Sequence, residues 1–515
     1  VTFAAGADII TATAGTDNVR LGENAGNSIA SGGVENVLIG KDAGTALTTG
    51  GDSVAIGHLA LSTATTAGNN VAVGDRTLKA NTSGENNTAI GTLALNANTT
   101  GDYSTAVGRD ALTANTEGSN TAVGGLALKT VTTGSNNVAV GREALETCAS
   151  DNNTAVGYQA GEALSSGGIV AVGYQAGKAA TTSIGNTLVG ELAGTAITDG
   201  NNNTAVGSQA LSSITSSTDN TAIGHDALRY QTTGTENTAI GSEALDALTV
   251  GNGNVAVGNQ ALSTDINGSR STAVGATALK VQEASGSTSN NYYNVGVGYG
   301  AGDNISTGYY NTCLGAFAGD GLTTGNENTF VGYNTQTNTA SDGNQIVMGA
   351  DMNGVGGNYF TFGNNSIGRV YNQFSANASW TRTSDERIKK DIETNTDCGL
   401  DFINDLRTVT YKWKAPSEHP EEFVSYDADK TEAAHTEKMY GFIAQEVKTA
   451  MDTHNITGFN GWHVTEESQG SQQGVSYEMF VMPLVKAVQE LSAKVDALET
   501  ENTAIKARLD ALEAG

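Results

Sequence analysis

The sequence predicts a mainly β repeat protein: a parallel β-solenoid or β-roll shaft of 17-residue period, trimeric, followed by a small α/β domain and a C-terminal coiled coil. Three observations carry this. A string like N-T-A-V-G recurs through the first 350 residues, composition breaks near residue 370, and apolar residues from Leu484 onward alternate in steps of 4 and 3. The divisions that follow are a lead segment at 1–17, a shaft at 18–370, a linker at 371–383, a folded domain at 384–475 and a helix at 476–515.

Composition narrows the function classes before any motif is read. Of 515 residues 66 are Gly, only 38% are apolar and 6% aromatic, and 26 basic residues face 54 acidic ones for a formal charge of −28. Such a chain repels polyanions, so nucleic acid is excluded as a partner, since phosphate neutralisation needs clustered Lys and Arg. The apolar runs fall far short of the roughly 20 residues that span a bilayer, so membrane insertion is not expected. The start lacks the basic and long apolar regions of a signal peptide, and no leader is expected. Three widely spaced cysteines (Cys148, Cys313, Cys398) exclude a disulfide framework and a Cys-based zinc site.

The shaft is read from its repeats. The last glycines of the strings, from Gly22 and Gly40 to Gly332 and Gly349, mark 20 copies, and 14 of the 19 spacings between them are 17 residues. One spacing is 23, where 281–293 carries an insertion. Within a copy such as Asn203-Thr204-Ala205-Val206-Gly207, β-branched and small residues alternate as in a half-buried strand. The residue before the glycine is Val, Ile, Leu or Met in all 20 copies, which predicts that it forms the core. Asn occupies the position four before the glycine in 15 copies, and parallel stacking would align these amides as a ladder along one edge. Ala follows three residues after the glycine in 17 copies, as at an inside corner, and a T-T-G string supplies a turn whose Gly is free to take positive φ. One unit has too few apolar side chains to bury a face alone, so copies must stack. Because Ala and Val fill little volume, a shared axis in a homotrimer is favoured. These strings resemble the head repeats of trimeric autotransporter adhesins, which implies a parallel β-roll in a trimer, although the 17-residue period is longer than that family's usual one.

Beyond residue 370 the chain changes character. It holds 7 of the 66 glycines but all three prolines and all three tryptophans. In the last segment Val488, Val495, Asn502 and Leu509 fall at one heptad position and Leu484, Leu491, Leu498, Ile505 and Leu512 at the other. An amphipathic helix packed on its own domain gives a similar pattern, but four heptads with charged flanks favour a coiled coil, with Asn502 fixing register.

Three strings in this region resemble the intramolecular chaperone of endosialidase-type phage tailspikes and tail fibres: S-D-E-R-I-K-K-D-I from Ser384, Y-G-F-I-A-Q-E-V from Tyr440, and V-S-Y from Val475 leading into L-V-K-A-V-Q-E-L. The resemblance implies a trimerising domain that assembles the upstream β-structure and then cuts itself off. It maps a nucleophile onto Ser384, a Lys partner onto Lys389, and the cut onto the Thr383–Ser384 bond. A neutral Lys amine can serve as the base for a Ser hydroxyl. Residues five apart on a regular α-helix lie about 140° around its axis, so one of the pair must sit outside such a helix. Ser384 also reads as an ordinary helix cap.

The remaining constellations are weak. Six histidines show no i, i+4 pair, the Gly296 to Gly302 cluster belongs to the repeat, and Asn and Asp in the turns lack the nine-residue calcium pattern, so no metal and no cofactor is expected. Tyr292, Tyr293, Tyr299, Tyr309 and Tyr310 cluster beside the insertion, as a sugar-stacking surface or as a local core patch. The resemblance implies a tail fibre or appendage of a virion, made in the host cytoplasm, with itself, a host glycan or protein receptor and tail or baseplate proteins as partners. A bacterial trimeric surface adhesin and a polysaccharide-degrading tailspike are the alternatives. No membrane β-strands follow the coiled coil, which counts against an anchored adhesin.

Overall fold

The computed structural model describes residues 15–282, 290–366, 368–374, 381–382, 386, 389–421, 423, 426–433, 436–464 and 473–515. The chain forms two compact units, Val1–Thr383 and Ser384–Gly515. Most of the lead segment, the centre of the insertion, and Thr383 and Ser384 lie outside the described residues.

The first unit is a parallel β-solenoid in which each repeat is one coil. Three-residue strands such as Thr204–Val206 and Thr221–Ile223 pair in register, Ala205 opposite Ala222 and Val206 opposite Ile223. The amide of Gly224 donates to the Val206 carbonyl at 2.8 Å, while that of Thr221 donates to Asn237 at 2.8 Å, so each coil is bonded on both sides. Twenty coils at about 4.8 Å give a stack of about 95 Å.

The strand faces the opposite way from the expectation. The residue before the glycine is outside: Ile90 is 40% exposed and Ile223 38%. The small residue in mid-strand is the inner one, as Ala89 and Ala222 are fully buried. The interior is filled instead by the corner Ala (Ala94, Ala227), the Leu that follows it (Leu95, Leu228) and a variable residue three further on. Those Leu residues adopt left-handed backbone, φ 50° at Leu95 and 51° at Leu228. That conformation costs roughly 1–2 kcal/mol, and full burial of the side chain returns about 1.5–3 kcal/mol, so burial wins. Where mid-strand carries a large residue, the Leu gives way to Gly. Leu38 lies against Gly26 and Gly44, Leu188 against Gly177 and Gly194, and Phe330 against Gly319, each too close to admit a Cβ. At these three places the volume of the large residue is offset by glycine on the same or the preceding coil. The interior is closed by single coils of one chain, so a thin core is no longer a reason for sharing one between chains.

The Asn ladder is present, but inside the coil rather than along an edge. Asn203, Asn220, Asn237 and Asn254 are fully buried. The Oδ1 of Asn203 accepts the Asn220 amide at 3.1 Å, and that of Asn220 accepts the Asn237 amide at 3.0 Å. Each Nδ2 donates to the turn of the next coil, Asn220 to the Gly234 carbonyl at 3.0 Å and Asn237 to Gly251 at 2.8 Å. The turn glycine does not need positive φ. A side chain on Gly234 would strike the Gly251 carbonyl and Gln231, and left-handed backbone falls two residues later, at Glu236 (φ 60°). The glycine that ends each strand does need its freedom: Gly207 has φ +141°, and any Cβ would collide with the Gly224 carbonyl.

At its C-terminal end the stack changes direction. Tyr359–Asn364 continues the parallel register, with Gly363 opposite Gly349, and Gly368–Gln373 then returns antiparallel. Thr381–Arg382 adds a last short strand, so part of the stretch expected to be linker is sheet.

The second unit has three helices, α1 (Leu400–Asn404), α2 (Ala444–Thr453) and α3 (Val481–Glu513), among its described residues. Val409–Tyr411 pairs antiparallel with Met439–Gly441, and Trp462–Val464 with Gln473–Val475. Phe402, Val447, Ala450, Met451, Ile456 and Phe480 make its core, with the Phe402 and Phe480 rings stacked at 6.5 Å.

Candidate functional site

The three sequence strings fall in the second unit, and two of them meet there. The backbone amide of Phe442, in the second string, donates to the Tyr477 hydroxyl at 3.1 Å, and the two rings stack at 5.7 Å. Tyr477 belongs to the third string, which enters α3 through a short 3-10 turn, Tyr477–Phe480. Around this junction Tyr411, Trp413, Phe442, Gln445, Gly474 and Tyr477 line an open hollow of about 420 Å³. Periodicity could not have found the hollow, because its rings come from three separate segments.

Charged contacts tie the helices to the rest of the unit. Arg407 pairs with Glu446 of α2 through both nitrogens, one at 3.0 Å, which holds the Glu446 carboxyl below its usual range. Glu490 of α3 accepts the amide of Leu400 at 2.7 Å. A carboxylate is thereby placed at the first turn of α1, where unpaired amides favour negative charge. This bond first, and the ammonium of Lys486 after it, lower the Glu490 pKa. His454 Nε2 lies 2.7 Å from Asp405 Oδ2.

Of the expected cleavage residues, Thr383 and Ser384 lie outside the described residues. Lys389 is exposed and outside any α-helix, and its amide donates to the Glu386 carbonyl at 3.1 Å.

The heptad seam is open to solvent in the single chain. α3 runs 33 residues and buries only Pro483 and Ala487. Leu484, Val488, Leu491, Val495, Leu498, Ile505, Leu509 and Leu512 are all exposed, Leu498 by 64%, and Asn502 is exposed with them. The seam therefore does not pack on its own domain.

All three cysteines are free and buried, and burial pushes the Cys313 thiol up to about 12, which makes it inert. One acidic cluster escaped notice in the sequence because its members sit on neighbouring coils: the carboxylates of Glu143, Glu146 and Glu162 lie within 4.8 Å of one another. Arg142 and Gln159 bind Glu143, Lys129 lies near Glu146 and Lys178 near Glu162, so cations and amides already neutralise the group.

Residues 384–456 match the family described as chaperone of endosialidase. No curated protein and no solved structure matches the chain. The chain is thus a parallel β-solenoid of about 20 turns that carries a chaperone-of-endosialidase domain and a long C-terminal helix. That combination fits a protein of the tail-fibre or tailspike kind.

Proposed function

We propose that this protein is a homotrimeric tail fibre or related virion appendage for attachment to a host surface, its solenoid assembled by a C-terminal chaperone that removes itself before Ser384. The observation that supports this best is a coincidence of boundaries. The chaperone match begins at residue 384, and the two compact units divide between Thr383 and Ser384. A cut at that bond would free the whole shaft from the whole chaperone unit and leave each intact.

In the proposed step the Ser384 hydroxyl, its proton taken by the neutral amine of Lys389, attacks the Thr383 carbonyl carbon. The Thr383–Ser384 amide becomes an ester as its nitrogen leaves as the amine of Ser384. Water then hydrolyses the ester, giving a Thr383 carboxylate and the free Ser384 hydroxyl. Completion of the pair only in the assembled trimer would make the cut a signal of correct folding.

Two exposed apolar features support association. One is the α3 seam. The other is the outward strand face of the solenoid, a column of Val and Ile beside a column of Thr and Val: about 95 Å by about 10 Å of strand gives about 950 Å² per chain, above the roughly 800 Å² each partner contributes to a standard interface. The number three comes from the resemblance to trimeric families. Val488 and Val495 at one seam position with Leu491 and Leu498 at the next is a pattern that in isolated coils favours two strands. Ultracentrifugation of the full chain is therefore expected to give a mass of three chains, and a monomer or dimer would refute the trimer. Intact mass tests the cut: a species ending at Thr383 is expected from the unaltered protein and absent from Ser384→Ala. An uncut chain in both removes the peptidase. Full-rate cutting in a monomeric seam variant removes the dependence on assembly.

A further inference from the structure

We infer that the tyrosines beside the 23-residue spacing form a binding site for a neutral saccharide. Arg270, Tyr293, Tyr310 and Glu327 occupy the same left-handed corner on four successive coils, with φ of 61°, 50°, 57° and 61°. The rings of Tyr293 and Tyr310 stack at 5.4 Å, and Tyr309 meets Tyr310 edge-on at 5.1 Å. None of the three is core. Tyr293 and Tyr309 are each 41% exposed and Tyr310 51%, while the coil interior behind them is filled by Ala301, Ile305 and Cys313. The core-patch reading is thereby removed for these three rings, while Tyr292 is buried.

Beside the rings is a hollow of about 310 Å³ lined by Asn291, Tyr292, Thr307, Tyr309 and Tyr310. Tyr292 is almost wholly buried and forms the floor. Asn291 and Thr307 are exposed and stand at the rim with polar side chains. The hollow is fixed by the backbone, because the Tyr310 amide donates to the Tyr292 carbonyl at 2.7 Å and the Tyr309 amide to Asn326 Oδ1 at 2.9 Å. Aromatic faces beside a few hydroxyl and amide groups match a pyranose, which offers an apolar C–H face and a ring of hydroxyls. Rigid Tyr rings supply such contact at low entropic cost.

Charge selects the class of sugar. The Arg270 guanidinium is already engaged, 5.7 Å from the Tyr293 ring centre and bonded to its hydroxyl at 2.9 Å. Glu327 is exposed on the next coil, and the chain as a whole carries −28. An acidic sugar would meet repulsion, and among the described residues no free cation is supplied for it at this corner. The ligand is a neutral hexose-containing glycan.

The site deepens the attachment reading by naming its ligand class, and it fails separately from it. The test is an array of neutral and sialylated oligosaccharides probed with the full chain. Alongside it run Tyr309→Ala/Tyr310→Ala, which removes the platform, and Thr307→Arg, which fills the hollow from an exposed position. Tyr174→Ala, an exposed ring stacked on Tyr158 elsewhere on the shaft, serves as control. Expected is binding of at least one neutral glycan, weakened tenfold or more by both site variants and unchanged by the control. Absence of neutral-glycan binding, a preference for sialylated glycans, or binding that survives in both variants overturns the site. A trimer that sheds its C-terminal unit while binding no neutral glycan leaves the assembly proposal standing and removes this one.

Discussion

Replacing Asp265 by Asn should stabilise the shaft at neutral pH and do nothing in acid. Asp265 is fully buried at the variable interior position, where other coils place Asn81, Asn98 or Asn115. Its Oδ1 accepts the Gly268 amide at 2.7 Å and its Oδ2 accepts from Gln282 at 2.6 Å. Burial nonetheless raises its pKa from the ordinary 3.8 to about 6. Below the ordinary value both folded and unfolded chains hold the proton, and the full stability is present. As pH rises the unfolded chain ionises first, and above about 6 the folded coil must hold a buried carboxylate. The gap corresponds to about 3 kcal/mol at about 1.36 kcal/mol per pH unit. Asn98 shows how Asn sits at this position, accepting the Gly101 amide at 3.1 Å and donating to the Gly101 carbonyl at 3.0 Å, and the Gln282 amide that now donates to Oδ2 must turn to the Asn Oδ1, as Asn98 does to Asn81 at 3.4 Å. Coils in a long stack open locally, so the assay is hydrogen exchange of peptides from this coil, corrected for intrinsic rate at each pH. Protection in the wild-type coil should fall between pH 4 and 7, and the variant should exceed it by on the order of a hundredfold at pH 7.5 and not at all at pH 4. An equal difference at every pH, or a less protected Asn variant at pH 7.5, refutes the reasoning.

Other substitutions probe other parts of the chain. Gly207→Ala forces a Cβ into the Gly224 carbonyl at a backbone conformation open to glycine alone, and should cost at least about 1–3 kcal/mol, read as lost protection in that coil and its neighbours but not in distant ones. Asn220→Ala leaves the Asn237 amide without its partner and takes one of two donors from the Gly234 carbonyl, which keeps Gln231, a loss of about 1–3 kcal/mol by the same measurement. Leu491→Asp and Leu498→Asp place charge on the α3 seam and should weaken association in the ultracentrifuge at least tenfold relative to the unaltered chain. Leu188→Ala should open a cavity costing about 2–5 kcal/mol, and adding Gly194→Ala should not recover it, because Gly194 has φ +56°.

The fold class, the number of coils, the amide ladder though not its burial, and the small corner residue were all legible in the sequence, because each recurs at a fixed position in nearly every copy. Which strand face points inward was misread. A three-residue strand offers one alternation, Thr-Ala-Val, and hydrophobicity alone favours Val as the buried residue. The interior is instead already occupied by the Leu four residues after the glycine, which leaves room for a methyl group and no more. The signal that could have revealed this was available: Leu38, Leu188 and Phe330, the large residues in mid-strand, are each flanked by a Gly where other coils have Leu. The seam on α3 was legible for the same reason as the coils, since 4 and 3 spacing is regular. The hollow at Tyr411, Trp413 and Tyr477 was not, because residues 66 apart are joined there by packing rather than by period.

The reversal at Gly368–Gln373 bears on how such a stack stays finite. Parallel in-register strands are the geometry of fibrils, and an open terminal strand is a template on which further chains can add. Here the last parallel strand, Tyr359–Asn364, is covered by one running the other way, and the strand beyond that, Thr381–Arg382, offers only two residues. An incoming coil of a second molecule would find the wrong polarity and too short a landing, so polymerisation through this end is blocked by the chain itself.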